Sequence, residues 1–154
     1  MFKKILVALD NSPTDVAMVA PISELARLHG SELVLLHVAD GWAARNYHRF
    51  QLAESEEMKE DRAYLEKVAS DLRGQGLGVK THLALGEPAT GILKTAKEEA
   101  CDLIAMTTHG HRFFKDLLYG STITQVRHRA RVPVLLMNVA KKSAEAGPAD
   151  SRQK

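Results

Sequence analysis

Short apolar runs alternate with longer amphipathic stretches along this chain. Five runs rich in Ile, Leu and Val predict strands, at residues 4–9, 32–38, 79–85, 102–106 and 132–139. Runs that are apolar at nearly every position are typical of strands buried on both faces of a parallel sheet. The third run alternates apolar and polar residues instead, which predicts a strand near an edge of the sheet.

The stretches between these strands have the periodicity of helices. They predict three helices and the start of a fourth, at residues 13–29, 54–73, 88–100 and from Gly120-Ser121 onward. Ser12 and Pro13 suit the capping position and the first position of the first helix, and Gly30 suits its end. We expect the apolar stripe of this helix to face the sheet, and it consists of Val16, Val19, Ile22 and Ala26.

The alternation of strand and helix predicts the fold class. It indicates an α/β fold, a three-layer doubly wound sandwich with right-handed crossovers and a parallel five-stranded sheet of order 3-2-1-4-5. We expect a single domain at residues 1–140, because neither internal repeats nor a second apolar core is visible. Residues 141–154 are rich in Ala, Gly, Pro, Ser and charge, which predicts a disordered tail.

The composition of the chain argues against some classes of binding partner. The chain has 154 residues, of which 45% are hydrophobic and 26% charged, as in an ordinary globular domain. A net charge of +2 is too small to indicate nucleic-acid or membrane binding. The one cysteine, Cys101, cannot form an internal disulfide, and no run approaches the roughly 18 apolar residues of a membrane span. We therefore expect a cytoplasmic protein.

The strand order predicts where a ligand would bind. In a doubly wound sheet, ligands bind beyond the carboxyl ends of the strands where the winding reverses, here between the first and fourth strands. Asp10 ends the first strand and could accept hydrogen bonds from ribose hydroxyls or help to hold a cation. The alternative is that Asp10 only caps the first helix. Gly120-Ser121 opens the last helix, whose free N–H groups could bind phosphate, and the alternative is an ordinary turn and cap.

The loop before the last helix resembles a motif of the universal stress protein family. Nucleotide-binding members carry Gly, two residues, Gly, nine residues, and then Gly followed by Ser or Thr. Here Gly110, nine residues and Gly120-Ser121 match, while Thr107 stands at the first glycine. The resemblance extends over nearly all of residues 3–139, including the segments Lys4 to Asp10, Leu36-His37-Val38, Gly86-Glu87-Pro88 and Arg131 to Leu136.

The resemblance implies a fold, a ligand and an assembly. The fold is adenine-nucleotide-hydrolase-like, and the ligand is ATP, or AMP or ADP, with Mg²⁺ as a candidate companion ion. Asp10 would meet the ribose or the metal, and Val134 to Val139 would pair with the same strand of a second copy to form a homodimer. The residues implied at the nucleotide are Ala8, Leu9, Asp10, Val38, Met106, Thr107, His109, Gly110, Gly120, Ser121 and Thr122.

Two interpretations of function stay open. The first is a nucleotide-binding regulatory module of the stress response, and the second is a nucleotide-free dimeric protein of the same fold that acts through protein partners. Thr107 favours the second interpretation, because a β-branched residue does not freely replace a glycine that lets the backbone approach phosphate. We expect no enzyme, since the chain has no G-x-x-x-x-G-K-[ST] phosphate loop, although slow ATP hydrolysis stays open.

Two further features belong to the same loop. His109 and His111 lack nearby Cys, Asp or Glu residues at ligand spacing and fall short of a metal site. The apolar residues of the loop could form a lid over a ligand or pack against a partner, and these are Phe113, Phe114, Leu117 and Leu118.

Overall fold

The computed structural model describes residues 1–41, 46, 55–108 and 119–138. Within these residues five strands form one sheet in the order β3-β2-β1-β4-β5, and all neighbouring strands are parallel. The strands are β1 (Lys4–Ala8), β2 (Glu32–Ala39), β3 (Val79–Leu85), β4 (Leu103–Thr107) and β5 (Val134–Met137). The predicted fold class and strand order are confirmed, and β3 lies at an edge of the sheet as expected.

Four helices of the described residues cover the two faces of the sheet. They are α1 (Thr14–His29), α2 (Glu56–Gly74), α3 (Pro88–Glu98) and α4 (Tyr119–Arg129). Helices α1 and α2 pack on one face around Ile22 and Leu65, and α3 and α4 pack on the other around Ile92 and Val126. Each face of the sheet thus has its own apolar cluster, as a three-layer sandwich requires.

The buried face of α1 differs from the predicted stripe. The prediction that Val16 faces the sheet is wrong, since Val16 is 73% exposed, whereas Met18, Ile22 and Ala26 are buried as part of the core. Asp15 is buried in the first turn because its carboxylate accepts hydrogen bonds from the preceding loop. The buried face of α1 therefore runs through Asp15, Met18, Ile22 and Ala26, and Val16 lies outside it.

Some boundaries also differ from the predictions. Helix α1 starts at Thr14, one residue later than expected, and Pro13 precedes it with helical backbone angles, φ −57° and ψ −19°. Ser12 still acts at this end, since its hydroxyl accepts the Thr14 N–H at 3.3 Å. Strand β5 is shorter than predicted, and Val139 and the expected disordered tail at 141–154 lie outside the described residues.

Helices α1 and α3 end in the same hydrogen-bonded motif. The N–H of Ser31 donates to Ala26 O at 2.8 Å, and the N–H of Cys101 donates to Ala96 O at 2.9 Å. In each case the residue just before the donor has a left-handed backbone conformation, which closes the Schellman motif. At the end of α1 the left-handed residue is Gly30, and at the end of α3 it is Ala100.

This pair of helix ends predicts stability changes of opposite sign. Gly30 has φ +65° and Ala100 has φ +53°, a region that favours glycine. Gly30→Ala should cost about 1 kcal/mol, because a Cβ there meets no other atom but strains the backbone. Ala100→Gly should stabilise by about 0.5 kcal/mol, the relief of strain being partly offset in the unfolded chain. Urea unfolding measures both, and changes of the same sign would contradict the prediction.

Candidate functional site

The winding of the sheet reverses between β1 and β4. Val7 pairs with Ala105 across these strands, so Ala8 and Met106 come next at the carboxyl edge. The helix after β1 packs on one face and the helix after β4 on the other. The carboxyl ends of β1 and β4 are therefore the switch point at which the sequence predicts a ligand, and we call this position the crevice.

Three residues that the family resemblance assigns to a base lie together on one side of this crevice. Ala8, Val38 and Met106 all belong to the apolar cluster beneath α3 and α4. Helix α3 comes unusually close to the sheet here, because a Cβ on Gly91 would stand 2.9 Å from Val38 Cγ2. Only a glycine at position 91 permits this approach, so the backbone of α3 fixes the position of Val38.

Asp10 is the most unusual residue of the crevice. It is 7% exposed, and within the described part of the chain no N–H or hydroxyl group donates to its carboxylate, whose one polar neighbour of this kind is the carboxyl group of Asp15. A buried polar group without a partner costs free energy, so such groups are rare in stable folds. The alternative that Asp10 caps α1 finds no support, because neither of its oxygens accepts an N–H of that helix and the Ser12 hydroxyl accepts the Thr14 N–H instead. The free oxygens of Asp10 thus suit a ligand that donates hydrogen bonds or carries positive charge.

Asp15 holds the loop that carries Asp10. Its carboxylate accepts the backbone N–H of Asp10 at 3.2 Å and that of Ser12 at 3.3 Å. The hydroxyl of Tyr64, on α2, donates to the same carboxylate at 2.8 Å. One buried side chain therefore joins the β1–α1 loop to the second helix of that face.

The surroundings of Asp15 raise its pKa. Burial disfavours the charged form most strongly, the nearby charge of Asp10 adds to this, and the hydrogen bond from Tyr64 opposes both. Together they raise the pKa of Asp15 from 3.8 to about 7. Burial and the charge of Asp15 also raise the pKa of Tyr64, which keeps its hydroxyl as a donor.

This raised pKa predicts that stability increases as the pH falls from about 7 towards 5. The folded pKa of Asp15 lies above its unfolded value, so the folded state binds the proton more tightly. That contribution is complete below the unfolded pKa of 3.8 and is lost as the pH rises through about 7. Asp15→Asn should remove this slope, as measured by urea unfolding over the same pH range. An unchanged slope in the variant would assign the effect to another group.

Asp61 forms a second connection between α2 and the loop. It is completely buried, accepts a hydrogen bond from Asn11 Nδ2 at 2.9 Å, and lies 3.2 Å from His37 Nε2. His37 Nδ1 in turn donates to Leu9 O at 2.8 Å. Asn11 has φ +57°, a conformation that asparagine tolerates better than most residues. Asp61 thus fixes both neighbours of Asp10 in the chain.

The other predicted site residues are placed as follows. Leu9 is buried in the cluster beneath α1 and α2, and its N–H donates to Leu36 O at 2.8 Å. Thr107 ends β4, and Gly120 lies in the first turn of α4, followed by the half-buried Ser121 and Thr122. The remaining loop residues named from the sequence lie outside the described residues, and these are His109, Gly110, His111, Phe113, Phe114, Leu117 and Leu118.

Sequence reasoning missed the side chains that hold the loop, which are Asn11, Asp15, His37, Asp61 and Tyr64. A signal existed for one of them, since Ser12 followed three residues later by Asp15 fits a capping box. A second signal existed for Asp61, a charged residue within the buried apolar stripe of α2. The apolar members of this stripe are Met58, Leu65, Ala69 and Leu72. A charged residue on such a stripe indicates a buried partner. Within the described residues, no group of three or more His, Cys, Asp and Glu side chains could hold a metal ion.

The fold defines a doubly wound α/β protein with a buried carboxylate, that of Asp10, at its switch point. The family model for universal stress proteins matches residues 1–138, and the chain belongs to this family. Universal stress protein YxiE of Bacillus subtilis is 30% identical over 147 residues, which cover 89% of this chain and 99% of the relative. No helix of the described residues is long and apolar enough to cross a membrane.

Two solved structures are similar in fold to this chain. Protein MJ0577 of Methanocaldococcus jannaschii is 27% identical over 154 residues by sequence, covering 89% of this chain and 95% of its own. Its structure superposes with a TM-score of 0.75 and 29% identity, covering 92% of this chain and 99% of that one. A universal stress protein of Archaeoglobus fulgidus in complex with dAMP has a TM-score of 0.65 and 23% identity, with 87% of this chain and 96% of that one covered.

Proposed function

We propose that this protein binds an adenine nucleotide at the crevice and acts as a regulatory module of the stress response, with the cytoplasm as its location. The observation that carries the proposal is the buried carboxylate of Asp10, to which no N–H or hydroxyl group of the described residues donates. The two hydroxyls of a ribose are donors of the kind that this carboxylate lacks. Hydrogen bonds to a charged acceptor are about twice as strong as neutral ones, which would favour a ribose at this position.

The neighbouring residues fit the rest of a nucleotide. A purine base would lie against the apolar side of the crevice at Ala8, Val38 and Met106. The phosphates would approach the first turn of α4 at Gly120, where unpaired N–H groups and the helix dipole favour negative charge. Two fold relatives are universal stress proteins solved with cAMP and with dAMP, which supports an adenine nucleotide as the class of ligand here.

The proposal covers ATP, ADP and AMP, and it assigns no reaction to the site. Mg²⁺ would accompany a nucleotide through its phosphates and Asp10, since one carboxylate is too few ligands for a protein-held ion. A module of this kind would signal by the difference between its bound and empty surfaces. Hydrolysis is not required for such a signal.

The first experiment identifies any small molecule that the purified protein releases on denaturation, by mass spectrometry. Calorimetric titration of the emptied protein with ATP, ADP and AMP, with and without Mg²⁺, then gives the affinities. Gly120→Val should abolish binding by placing a side chain at the phosphates. Gly74→Val is the matched control, because a Cβ on this exposed glycine at the end of α2 meets no atom within 4 Å.

The outcomes separate the two functions. A released adenine nucleotide, or binding that Gly120→Val abolishes and Gly74→Val retains, would support the nucleotide switch. If none of the three nucleotides binds at about 1 mM, where binding energies fall near 4 kcal/mol, the nucleotide proposal fails. The partner-binding alternative, which Thr107 favours, would then be the better explanation.

We also propose a homodimer that pairs through β5. This strand is an edge of the sheet, and Leu135 on it is 38% exposed. An exposed apolar edge strand is a surface for pairing with a second copy across a two-fold axis. Light scattering should therefore give twice the 17.0 kDa mass of the chain. A monomer at all concentrations would contradict this assembly.

A further inference from the structure

A second cavity lies at the opposite end of the molecule from the crevice. Helices α3 and α4 start at the carboxyl edge of the sheet and end at its amino edge, and the cavity opens between these two helix ends. Its volume is about 680 Å³, within the range of about 300–1,000 Å³ that is typical of ligand sites. The residues that line it are Leu93, Ala96, Lys97, Ala100, Cys101, Ile104, Arg129, Ala130, Arg131 and Val132.

The inner part of this cavity is apolar. Ala96, Cys101 and Ile104 form buried surface at its base, and each is at most 6% exposed. Ala130 and Val132 are half-buried and belong to the cluster beneath α3 and α4. Burial raises the pKa of the Cys101 thiol to about 11, so this side chain is neutral and acts as part of the apolar wall. A ligand would therefore present an apolar body to the base of the cavity.

The mouth of the cavity is positively charged. Lys97, Arg129 and Arg131 are exposed on its lining, and none of the described residues that line it is acidic. Arg129 is partly engaged, since it bonds to Gln125 at 3.4 Å and contributes to lowering the pKa of Glu87, whose carboxylate caps α3. Lys97 and Arg131 are in no ion pair with an acid of the described residues, which leaves their charge available to a ligand.

The acids nearest to the cavity already have partners. Glu98 lies 3.9 Å from Lys94, and Glu99 lies 3.2 Å from Lys80 and 3.7 Å from Lys4. The carboxylate of Asp102 accepts backbone N–H groups at the start of β1. Each of these carboxylates is therefore already engaged by a cation or by backbone N–H groups. The apolar base and positive mouth together select a ligand with an apolar chain and one anionic head group.

We propose that this cavity is a binding site for a small anionic amphiphile of the medium-chain fatty acid type. The chain would enter between Leu93, Ala96 and Ile104, and the carboxylate would remain at the mouth beside Lys97 and Arg131. The site is separate from the nucleotide crevice, because Lys97 lies in the last turn of α3 whereas the crevice lies beside its first turn. The proposal therefore stands whether or not a nucleotide binds.

The test uses decanoate as the probe and calorimetry of the whole chain. We expect a dissociation constant of roughly 10–100 µM, which is ordinary for a ligand of this size. Decanol, which has the same chain without the charge, should bind more weakly. Lys97→Gln and Arg131→Gln should each weaken decanoate binding about fivefold, the value of one favourable ion pair. Lys67→Gln is the control, because Lys67 is an exposed lysine of α2 that does not line the cavity.

A second measurement locates the probe. Cys101 is the one cysteine of the chain, so its alkylation reports on this cavity alone. Decanoate at ten times its dissociation constant should slow alkylation about tenfold, since a bound site is protected in proportion to its occupancy. Ala130→Trp fills the mouth and should abolish the binding of decanoate while leaving nucleotide affinity unchanged.

Four results would overturn the proposal. They are the absence of decanoate binding at about 1 mM, equal affinity for decanol, an unchanged affinity in Ala130→Trp, and binding that leaves Cys101 unprotected. Protection of Cys101 that grows with protein concentration in the absence of decanoate would also overturn it, because a second copy of the chain would then cover the cavity.

Discussion

Replacing Asp10 by asparagine is expected to stabilise the empty protein and at the same time to weaken nucleotide binding. In the empty protein both oxygens of this buried carboxylate lack partners among the described residues, and Asp15 is close enough to repel it. A neutral amide would remove that repulsion and could donate to Asp15, so we expect a gain of about 1–2 kcal/mol. The bound ribose would lose a charged acceptor, which should cost about tenfold or more in affinity.

The prediction is specific because the stability of Asp10→Asn should rise while its nucleotide affinity falls. Urea unfolding gives the stability of the nucleotide-free protein, and calorimetry gives the affinity of the same preparation. Asp71→Asn is the control, because Asp71 is an exposed aspartate on α2 away from the crevice, and neither quantity should change. If Asp10→Asn destabilises the protein, Asp10 is a structural residue. If the affinity is unchanged, the ribose does not bind there.

Replacing Asp61 by alanine is expected to destabilise the protein more than any of the other substitutions. Asp61 is completely buried, and its removal would leave the side chains of Asn11 and His37 without the partner that they contact at 2.9 and 3.2 Å. Loss of one member of a buried polar pair typically costs about 3 kcal/mol or more. The nucleotide affinity should fall as well, because Asn11 and Leu9 would no longer hold Asp10 in place.

Two variants control for this result. Asp71→Ala removes an exposed aspartate from the same helix and should change the stability by no more than about 0.5 kcal/mol. Asp61→Asn retains an acceptor for Asn11 and should fall between the wild type and Asp61→Ala. Equal stability of Asp61→Ala and Asp71→Ala in urea unfolding would show that the contacts of Asp61 contribute nothing to the fold.

Much of the architecture could be predicted from the sequence because its signals are local and repeated. Apolar runs such as residues 32–38 have one solution when helices separate them, namely parallel strands buried on both faces. The sequence predicts Asp10 as a site residue because it follows a buried strand at the switch point; its burial fits that prediction, and its role in binding stays a prediction. These inferences needed only the order of the elements along the chain.

The supports of the site could not be predicted in this way because they depend on contacts between distant elements. The hydroxyl of Tyr64 reaches Asp15 from 49 positions along the chain, and Asp61 reaches Asn11 from 50 positions. The prediction for Val16 fails because helical periodicity alone does not specify where the edge of the buried face lies. That face begins at Asp15, whose bonds become visible only when the loop and the helix are folded together.

The missing side chain at Gly91 also sets limits on redesign of the crevice. A Cβ at position 91 would stand only 2.9 Å from Val38 Cγ2. Any larger residue there must therefore either push α3 outward or turn the Val38 side chain. To admit a bulkier ligand, Val38 should therefore be replaced by a smaller residue and Gly91 should be retained. The main chain of α3 at Gly91 sets the depth of the crevice, whereas substitutions that remove methyl groups from Val38 change its width.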